Sequence, residues 1–268
     1  NVQGGWHDAG DYGRYVITGA KSVMDLLLAY RQTGGKFTNF NLLDEVRFEL
    51  EWMLQLQRDD GGVYHKISCY NFCGFIMPEE EKEQLVIAPV STCATADFAG
   101  CLAYASTFYK NTDTAFAKKL VEAAVKAQKY LFLHDDELYI NPPEITTGGY
   151  GDSDVSDERY FALCSLWAVT GEEKYIAHAL KIREEKKKEI PDLEQPWKGG
   201  WREEFSWSSV AGYGTEILLE NADKLDRKVL EEIKNDIIVQ AEKALQTARK
   251  SAFGYCSNFI SWGSNGAI

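Results

Sequence analysis

Apolar residues recur at helical spacing along most of this 268-residue chain, and no other feature restricts the fold as strongly. Stripes at positions i, i+3, i+4 and i+7 run through residues 23–30, 46–54 and 160–167, and another follows the charged segment 230–245. This spacing is typical of amphipathic helices, which bury one face. Further stripes near residues 93–109, 114–131, 173–188 and 208–220 bring the prediction to about eight helices.

Strand patterns with a period of two residues are nearly absent, and glycine-punctuated loops such as residues 59–62 and 141–156 separate the helices. We therefore predict an all-α fold. Helix pairs joined by alternately short and long loops favour an α/α toroid or a helical repeat array, although no strict sequence repeat supports a solenoid. No proline-rich or serine-rich linker divides the chain, so residues 1–268 are expected to form one domain.

Local signals mark several helix starts and one exposed face. Residues expected to begin or cap the second, fourth and fifth helices are Asn41 or Asp44, Thr112 or Asp113, and Ser156. The run REEKKKE, residues 183–189, is predicted to be a solvated helix face because charges of both signs dominate it.

Charge and composition exclude two classes of partner. Asp+Glu number 41 against 29 for Lys+Arg, a net charge of −12, which argues against a nucleic-acid partner because phosphate binding needs clustered cations. No apolar run approaches the roughly 20 residues of a spanning helix, so no membrane insertion is expected. Aromatic residues make up 13% of the chain, which indicates either a sugar-binding cleft or a large aromatic core.

The segment GGWHDAGDYGRY, residues 4–15, carries the clearest chemical signal. Asp8 and Asp11 stand three positions apart with only Ala and Gly between them, so one turn can direct both carboxylates to a single site. Such a pair could hold and deprotonate one water molecule, as inverting glycoside hydrolysis requires. The spacing alone leaves two other interpretations open, a helix-cap pair and half of a calcium site.

The longer segment GGWHDAGDYGRYV resembles the signature of glycoside hydrolase family 9, the inverting cellulases with an (α/α)6 barrel. Similar segments follow in the family's order: EWMLQLQ (51–57), DGGVYHK (60–66), FIMPEE (75–80), STCATADFA (91–99), TGGYGD (147–152), SDER (156–159) and WGSN (262–265). The resemblance spans essentially the whole chain and is strongest to the branch that often carries an immunoglobulin-like domain before the barrel. It implies a secreted, endo-acting β-1,4-glycanase whose partner is cellulose or a related β-glucan.

By this resemblance Asp11 is the general base, and Asp8 is its partner in holding the nucleophilic water. Trp6 and His7 flank the pair and could stack on sugar or hydrogen-bond to it. Tyr150 and Trp207 are similar to residues of the family's substrate cleft, and each could equally be an ordinary core aromatic.

The resemblance also implies a structural calcium ion and no organic cofactor. The predicted calcium ligands are Ser153, Asp154, Asp157 and Glu158, in a segment similar to a calcium loop of the family. Plain helix capping explains the same acids equally well. Cys69 and Cys73, near His65, have spacing that matches a structural zinc site poorly, so buried thiols are the better prediction.

Two departures from the family shape the remaining expectations. An (α/α)6 barrel needs more helices than the roughly eight predicted here, so the barrel is expected to be incomplete. The family's substrate-binding histidine and arginine and its catalytic glutamate follow the block at residues 262–265, so we expect an internal fragment whose general acid lies elsewhere. Two alternatives stay open: a noncatalytic carbohydrate-binding fragment, and an exo-acting cellobiohydrolase or glucosaminidase on the same scaffold.

Overall fold

A computed structural model describes residues 2–36, 40–189, 201, 203–252, 254 and 256, and the block at 262–265 therefore lies outside the described residues. Within them the prediction of about eight helices is confirmed. The α-helices are α1 (Val16–Thr33), α2 (Leu42–Leu54), α3 (Thr92–Tyr109), α4 (Thr114–Leu133), α5 (Ser156–Thr170), α6 (Glu173–Lys186), α7 (Ala211–Glu220) and α8 (Arg227–Lys250). Short 3₁₀ helices span Pro78–Glu80 and Ala222–Lys224. None of the described helices has both the length and the apolar character needed to cross a membrane.

Polar side chains cap two helices where the sequence predicts them. Asn41 accepts a hydrogen bond from a backbone amide of the first turn of α2, and Asp113 does the same for α4. At α5 the prediction is off by one position, because Ser156 is the first helical residue. Asp154, two residues upstream, accepts hydrogen bonds from both the amide and the hydroxyl of Ser156.

Helix α3 lies at the centre and packs against α1, α4 and α5. Nearly all its residues are buried, so it has no solvent-facing polar stripe. Small side chains allow this close packing. A Cβ placed on Gly100 would lie 2.6 Å from the ring of Phe161 on α5, so a larger residue there would force the two helices apart.

A small antiparallel sheet sits where the chain enters α1. Its order is β1 (Arg14–Tyr15), β2 (Lys66–Ser68), β3 (Val86–Ile87), and in its register Tyr15 lies opposite Lys66. Strands of two or three residues are too short to produce an alternating pattern, which is why the sequence does not reveal them. The sheet joins the segment before α1 to the loop after α2 and so positions the candidate site.

The prediction that residues 183–189 form a solvated face is wrong at Arg183. This side chain is buried, and its guanidinium pairs with Glu203 at 2.7 Å and with Asp236 of α8 at 2.8 Å. The physical reason is helical spacing, since Arg183 continues the buried face of Tyr175, Ile176 and Ala179 on α6. An arginine can occupy that face because two carboxylates satisfy its charge.

Candidate active site

The segment from Asp8 to Gly13 forms one closed turn, as its spacing predicts. The amide of Asp8 donates to the carbonyl of Gly13 at 2.9 Å, and the amide of Tyr12 donates to the carbonyl of Ala9 at 3.1 Å. Tyr12 has a φ of 52°, a left-handed conformation that is unfavourable for an aromatic residue. The turn leaves Asp8 exposed, while Asp11 is only 4% exposed.

Asp11 is held by two donors from its own neighbourhood. The hydroxyl of Tyr15 donates to Oδ2 at 2.5 Å, and the amide of Gly13 donates to Oδ1 at 3.1 Å. Burial, together with the hydrogen bond to Asp11, raises the pKa of Tyr15, so its phenol remains a proton donor at neutral pH. Glycine is required at position 13 because a Cβ there would lie 2.7 Å from the ring of Tyr15.

Asp8 also accepts a hydrogen bond from a tyrosine hydroxyl, which belongs to a distant segment of the chain. Tyr150 donates to its Oδ2 at 2.6 Å, and burial followed by the contact with Asp8 raises the pKa of Tyr150. The rings of Tyr15 and Tyr150 meet edge to face, with centroids 4.8 Å apart. Tyr150 has a φ of 49°, and among the described non-glycine residues only it and Tyr12 have positive φ. Strained backbone thus concentrates at the two carboxylates, as is common at functional sites.

Of the aromatic residues predicted to bind sugar, Trp207 lies nearest to this network. Its ring packs edge-on against Tyr150 at 5.1 Å, and the residue is 37% exposed. His7 is exposed beside Tyr12, with ring centroids 5.3 Å apart, and burial followed by the charge of Arg14 lowers its pKa. The structure therefore brings Tyr150 and Trp207 together next to Asp8, and their contact with sugar stays a prediction.

Trp6 is engaged differently, because its polar groups bind α2. The indole donates to Glu45 at 2.8 Å and the backbone amide donates to Glu49 at 2.6 Å. Glu49 is buried, and burial raises its pKa to about 8. These two acids, one helical turn apart, anchor the turn to α2. Both acids lie some forty positions away in the chain, so the sequence does not reveal them, and a sugar contact for Trp6 stays a prediction.

A loop that the sequence did not single out for chemistry covers the turn. The hydroxyl of Tyr12 donates to the carbonyl of Ile76, and the thiol of Cys73 donates to the carbonyl of Gly10 at 3.2 Å. Phe72 and Phe75 of this loop are exposed. Its resemblance to a family segment was a signal in the sequence, but the contacts to Tyr12 and Gly10 could be found only in three dimensions.

The predicted calcium ligands do not converge as one set. Ser153 is exposed, and Asp154 forms an ion pair with Lys186 at 2.7 Å. Asp157 accepts a hydrogen bond from the amide of Val210 at 2.7 Å, and burial raises its pKa to about 6. Across the part of the chain that the structure describes, no three His, Cys, Asp or Glu side chains form a group that could hold a metal ion. A calcium site stays a prediction.

Next to these residues lie two buried carboxyl groups with unpartnered oxygens, and one of them, Glu158, also shares a hydrogen bond with Asp157. Both carboxyl oxygens of Asp97 on α3 and Oε2 of Glu158 on α5 have no hydrogen-bond partner within the described residues. Burial, and then the charge of Asp157, raises the pKa of both groups well above the usual range. A buried carboxyl group without a partner must either keep its proton or bind a cation. The carboxyl groups of Asp97 and Glu158 therefore suit a bound cation or a proton shared between them.

The cysteines and His65 do not make a zinc site. Cys69 is a buried free thiol, as predicted, whereas Cys73 is partly exposed. Nε2 of His65 bonds to the carbonyl of Gly149 at 2.7 Å and must donate, so Nδ1 accepts from Ser91 at 2.8 Å. Burial lowers the pKa of His65 to about 3, so the ring stays neutral and both its nitrogens are occupied.

Comparisons with known proteins place the chain in a family. The model of the family described as Glycosyl hydrolase family 9 matches residues 1–267. A cellodextrinase of Butyrivibrio fibrisolvens is 34% identical over 99% of this chain and 51% of its own length, and endoglucanase D of Acetivibrio thermocellus is 29% identical over 98% and 43%. The chain thus spans about half the length of the curated relatives it matches.

Solved structures give the same result. A metagenome-derived glycoside hydrolase family 9 endoglucanase superimposes with a TM-score of 0.84 at 31% identity, over 94% of this chain and 46% of that one. A mutant thermostable endoglucanase from Alicyclobacillus acidocaldarius gives 0.82 at 30% identity, over 96% and 49%. The predicted all-α class, an (α/α)6 barrel that is incomplete in this chain, is confirmed.

Proposed function

The chain belongs to glycosyl hydrolase family 9, and we propose that it carries the general-base side of an inverting, endo-acting β-1,4-glycanase that cleaves cellulose or related β-glucans. The observation that carries the proposal is the pair of aspartates on one turn, each accepting a hydrogen bond from a tyrosine hydroxyl. Those hydroxyls orient the carboxylates, which a base that must meet a water molecule requires.

The proposed reaction divides the work between Asp11 and Asp8. A water molecule held by both attacks the anomeric carbon, and its proton passes to Asp11 as the new carbon–oxygen bond forms. The glycosidic bond breaks, and a separate carboxylic acid protonates the departing oxygen. Inversion needs base and acid roughly 6.5 to 9.5 Å apart, on opposite sides of the scissile bond.

We propose that this acid lies outside residues 1–268, because the curated relatives are about twice as long as the matched region. The 268-residue chain alone is then expected to show no hydrolysis of carboxymethylcellulose. Clear hydrolysis that disappears in Asp11→Asn would mean that a carboxylic acid within these residues serves as the acid.

The names of the relatives support a β-glucan substrate. They include a cellodextrinase, several endoglucanases and a xyloglucan-specific endo-β-1,4-glucanase of Bacteroides ovatus. Tyr150 and Trp207 offer this chain an aromatic surface beside Asp8 on which a sugar ring can stack. A polymer cannot cross a membrane, so we expect the protein to act outside the cell.

One relative favours the exo-acting alternative, since a cellulose 1,4-β-cellobiosidase of Acetivibrio thermocellus is 29% identical over 94% of the chain. The two modes differ in how the products appear. Endo-action is expected to lower the viscosity of carboxymethylcellulose well before many reducing ends form, whereas an exo-enzyme would release short sugars with little change in viscosity.

The full-length protein that contains this chain tests the base assignment. Asp11→Asn should lower kcat on a soluble β-glucan by roughly 10²-fold or more, while binding of cello-oligosaccharides stays nearly unchanged. The control is Asp59→Asn, which changes an exposed aspartate in the loop after α2. Normal turnover in Asp11→Asn would contradict the assignment of Asp11 as the general base. Weak turnover in the parent with intact sugar binding would favour the noncatalytic alternative.

The structural calcium ion is also a proposal, with Asp157 and Glu158 as its best candidate ligands beside Ser153 and Asp154. The unpartnered oxygens of Glu158 and Asp97 support a cation near the start of α5. The ion pair between Asp154 and Lys186 indicates that Asp154 would have to release Lys186 to act as a ligand. Such an ion would stabilise the fold without entering the reaction.

A further inference from the structure

Lys66 on β2 is a buried cation without an anionic partner in direct contact. The residue has no exposed surface, and within the described residues it forms no salt bridge. Its Nζ donates to Oγ1 of Thr147 at 3.0 Å and to the carbonyl of Gly148 at 2.5 Å, both neutral acceptors. The ammonium also lies over the ring of Tyr15, 5.2 Å from its centroid.

Such a placement is unfavourable unless the charge itself has a use. Removing an ammonium from water costs several kcal/mol, and a neutral amide could donate the same hydrogen bonds without that cost. Burial lowers the pKa of Lys66 to about 8, and the nearby charge of Asp11 acts in the opposite direction. The group that benefits from the cation is therefore the carboxylate of Asp11.

The sheet register explains how the two groups meet. Lys66 lies opposite Tyr15 in the β1–β2 ladder, and Tyr15 donates to Asp11. Tyr15 thus contacts both groups, with the ammonium of Lys66 over its ring and the carboxylate of Asp11 at its hydroxyl. Replacing the cation would change the electrostatic potential at Asp11 without removing any direct contact of that carboxylate.

Lys66 also reaches the second aspartate through the segment 147–150. It binds the carbonyl of Gly148, and the preceding residue, His65, binds the carbonyl of Gly149, so consecutive residues at the start of β2 hold consecutive peptide groups. The next residue, Tyr150, donates to Asp8. One strand end therefore supports the tyrosine contacts of both carboxylates.

We propose that Lys66 is a positioning residue of the proposed hydrolytic site, where its positive charge attracts the carboxylate of Asp11 and its hydrogen bonds fix the segment that carries Tyr150. The inference rests on the proposed function. Other titratable groups around the pair are His7, Arg14, Cys69, Cys73 and the two tyrosines, and Arg14, a second buried cation, directs its guanidinium to the carbonyl of Gly4.

The test uses the full-length protein and the pH profile of kcat/KM on a soluble β-glucan. Lys66→Gln keeps a donor and removes the charge, so the acidic limb should move to higher pH by about half a unit, with kcat about threefold lower at mildly acidic pH and KM within about twofold. Lys66→Arg keeps a charge and should leave the limb near its parental position. Lys126→Gln, on α4, is the control for loss of a lysine.

The outcomes separate this inference from the proposed function. If Asp11→Asn retains turnover, the proposed function fails whatever Lys66 does. If Asp11→Asn is inactive and Lys66→Gln has the same acidic limb in its pH profile as the parent, only the role of Lys66 is wrong. If Lys66→Gln does not fold, Lys66→Met decides, because it removes the charge from the same buried position and leaves the hydrogen bond of Tyr15 to Asp11 in place. A shift of its limb to higher pH supports the inference, and an unchanged limb overturns it.

Discussion

Two groups of acidic side chains lie in this chain, and they differ in what surrounds them. Asp8 and Asp11 sit on a surface turn, and each accepts a hydrogen bond from a tyrosine hydroxyl. Asp97 and Glu158 lie between α3 and α5, fully buried, with carboxyl oxygens that lack donors within the described residues. The first arrangement gives each carboxylate a hydroxyl donor, and the second favours protonated groups or a bound cation.

The largest expected effect separates the two groups by activity. In the full-length protein Asp8→Asn should lower kcat by about 10²-fold, because the attacking water loses one of its two anchors. Asp97→Asn should leave kcat within about threefold once the protein is folded. The comparison would be wrong if turnover fell equally in both variants while both kept the parental melting temperature.

The tyrosine donors should give a smaller effect. Tyr150→Phe removes the hydroxyl that orients Asp8 and should lower kcat about tenfold, in line with the loss of one hydrogen bond to a charged group. Tyr104→Phe is a matched control, since it removes a hydrogen bond between a buried tyrosine and Glu220 away from the site. Steady-state kinetics of both variants provide the measurement. Equal losses in the two would assign the effect to packing.

The third prediction is that removing calcium changes the stability of the fold and not the activity. If an ion binds at Asp157 and Glu158, a chelator should lower the melting temperature by several degrees, because a ligand of the native state stabilises it by mass action. Scanning calorimetry in chelator and in excess Ca²⁺ provides the measurement. Identical melting in both would leave these acids as partners of backbone amides and of one another.

The smallest expected effect is a pH dependence of stability in chelator. Burial raises the pKa of Asp97 in the folded state, so the native protein holds a proton that the unfolded chain releases near pH 4. The stability that Asp97 contributes is therefore fully present below that pH. It is lost as the pH rises through the higher pKa that Asp97 has in the folded state. Relative to the parent, Asp97→Asn should gain stability as the pH rises above about 4, by on the order of 1 kcal/mol per unit. Denaturant titrations that show no gain would contradict the raised pKa.

The sequence predicted those parts of the molecule that depend on local spacing. The stripes of α1 and α2 mark their buried faces, and the DAGD spacing identifies Asp8 and Asp11 as a pair on one turn. Asn41 and Asp113 cap their helices because capping uses only neighbouring residues.

Residues that act through distant partners could not be found in that way. Tyr15 stands four positions from Asp11, but its role depends on the pairing of β1 with β2. The hydrogen bonds of Trp6 to Glu45 and Glu49 of α2 likewise join residues far apart in the chain. Arg183 is predicted to be solvated because its ion pairs with Asp236 and Glu203 are invisible in the sequence. In each case a long-range contact decides the role of the residue.

The central claim, that Asp11 is the base of an inverting site, is tested most directly by chemical rescue. Asp11→Gly in the full-length protein removes the base and leaves space for azide, which attacks the anomeric carbon without needing deprotonation. On an activated β-glycoside the account predicts little hydrolysis alone and restored turnover with azide to an α-glycosyl azide, identified by NMR, with α-configured sugar from the parent. A β-configured first product, or azide rescue of Asp8→Gly but not of Asp11→Gly, would contradict it.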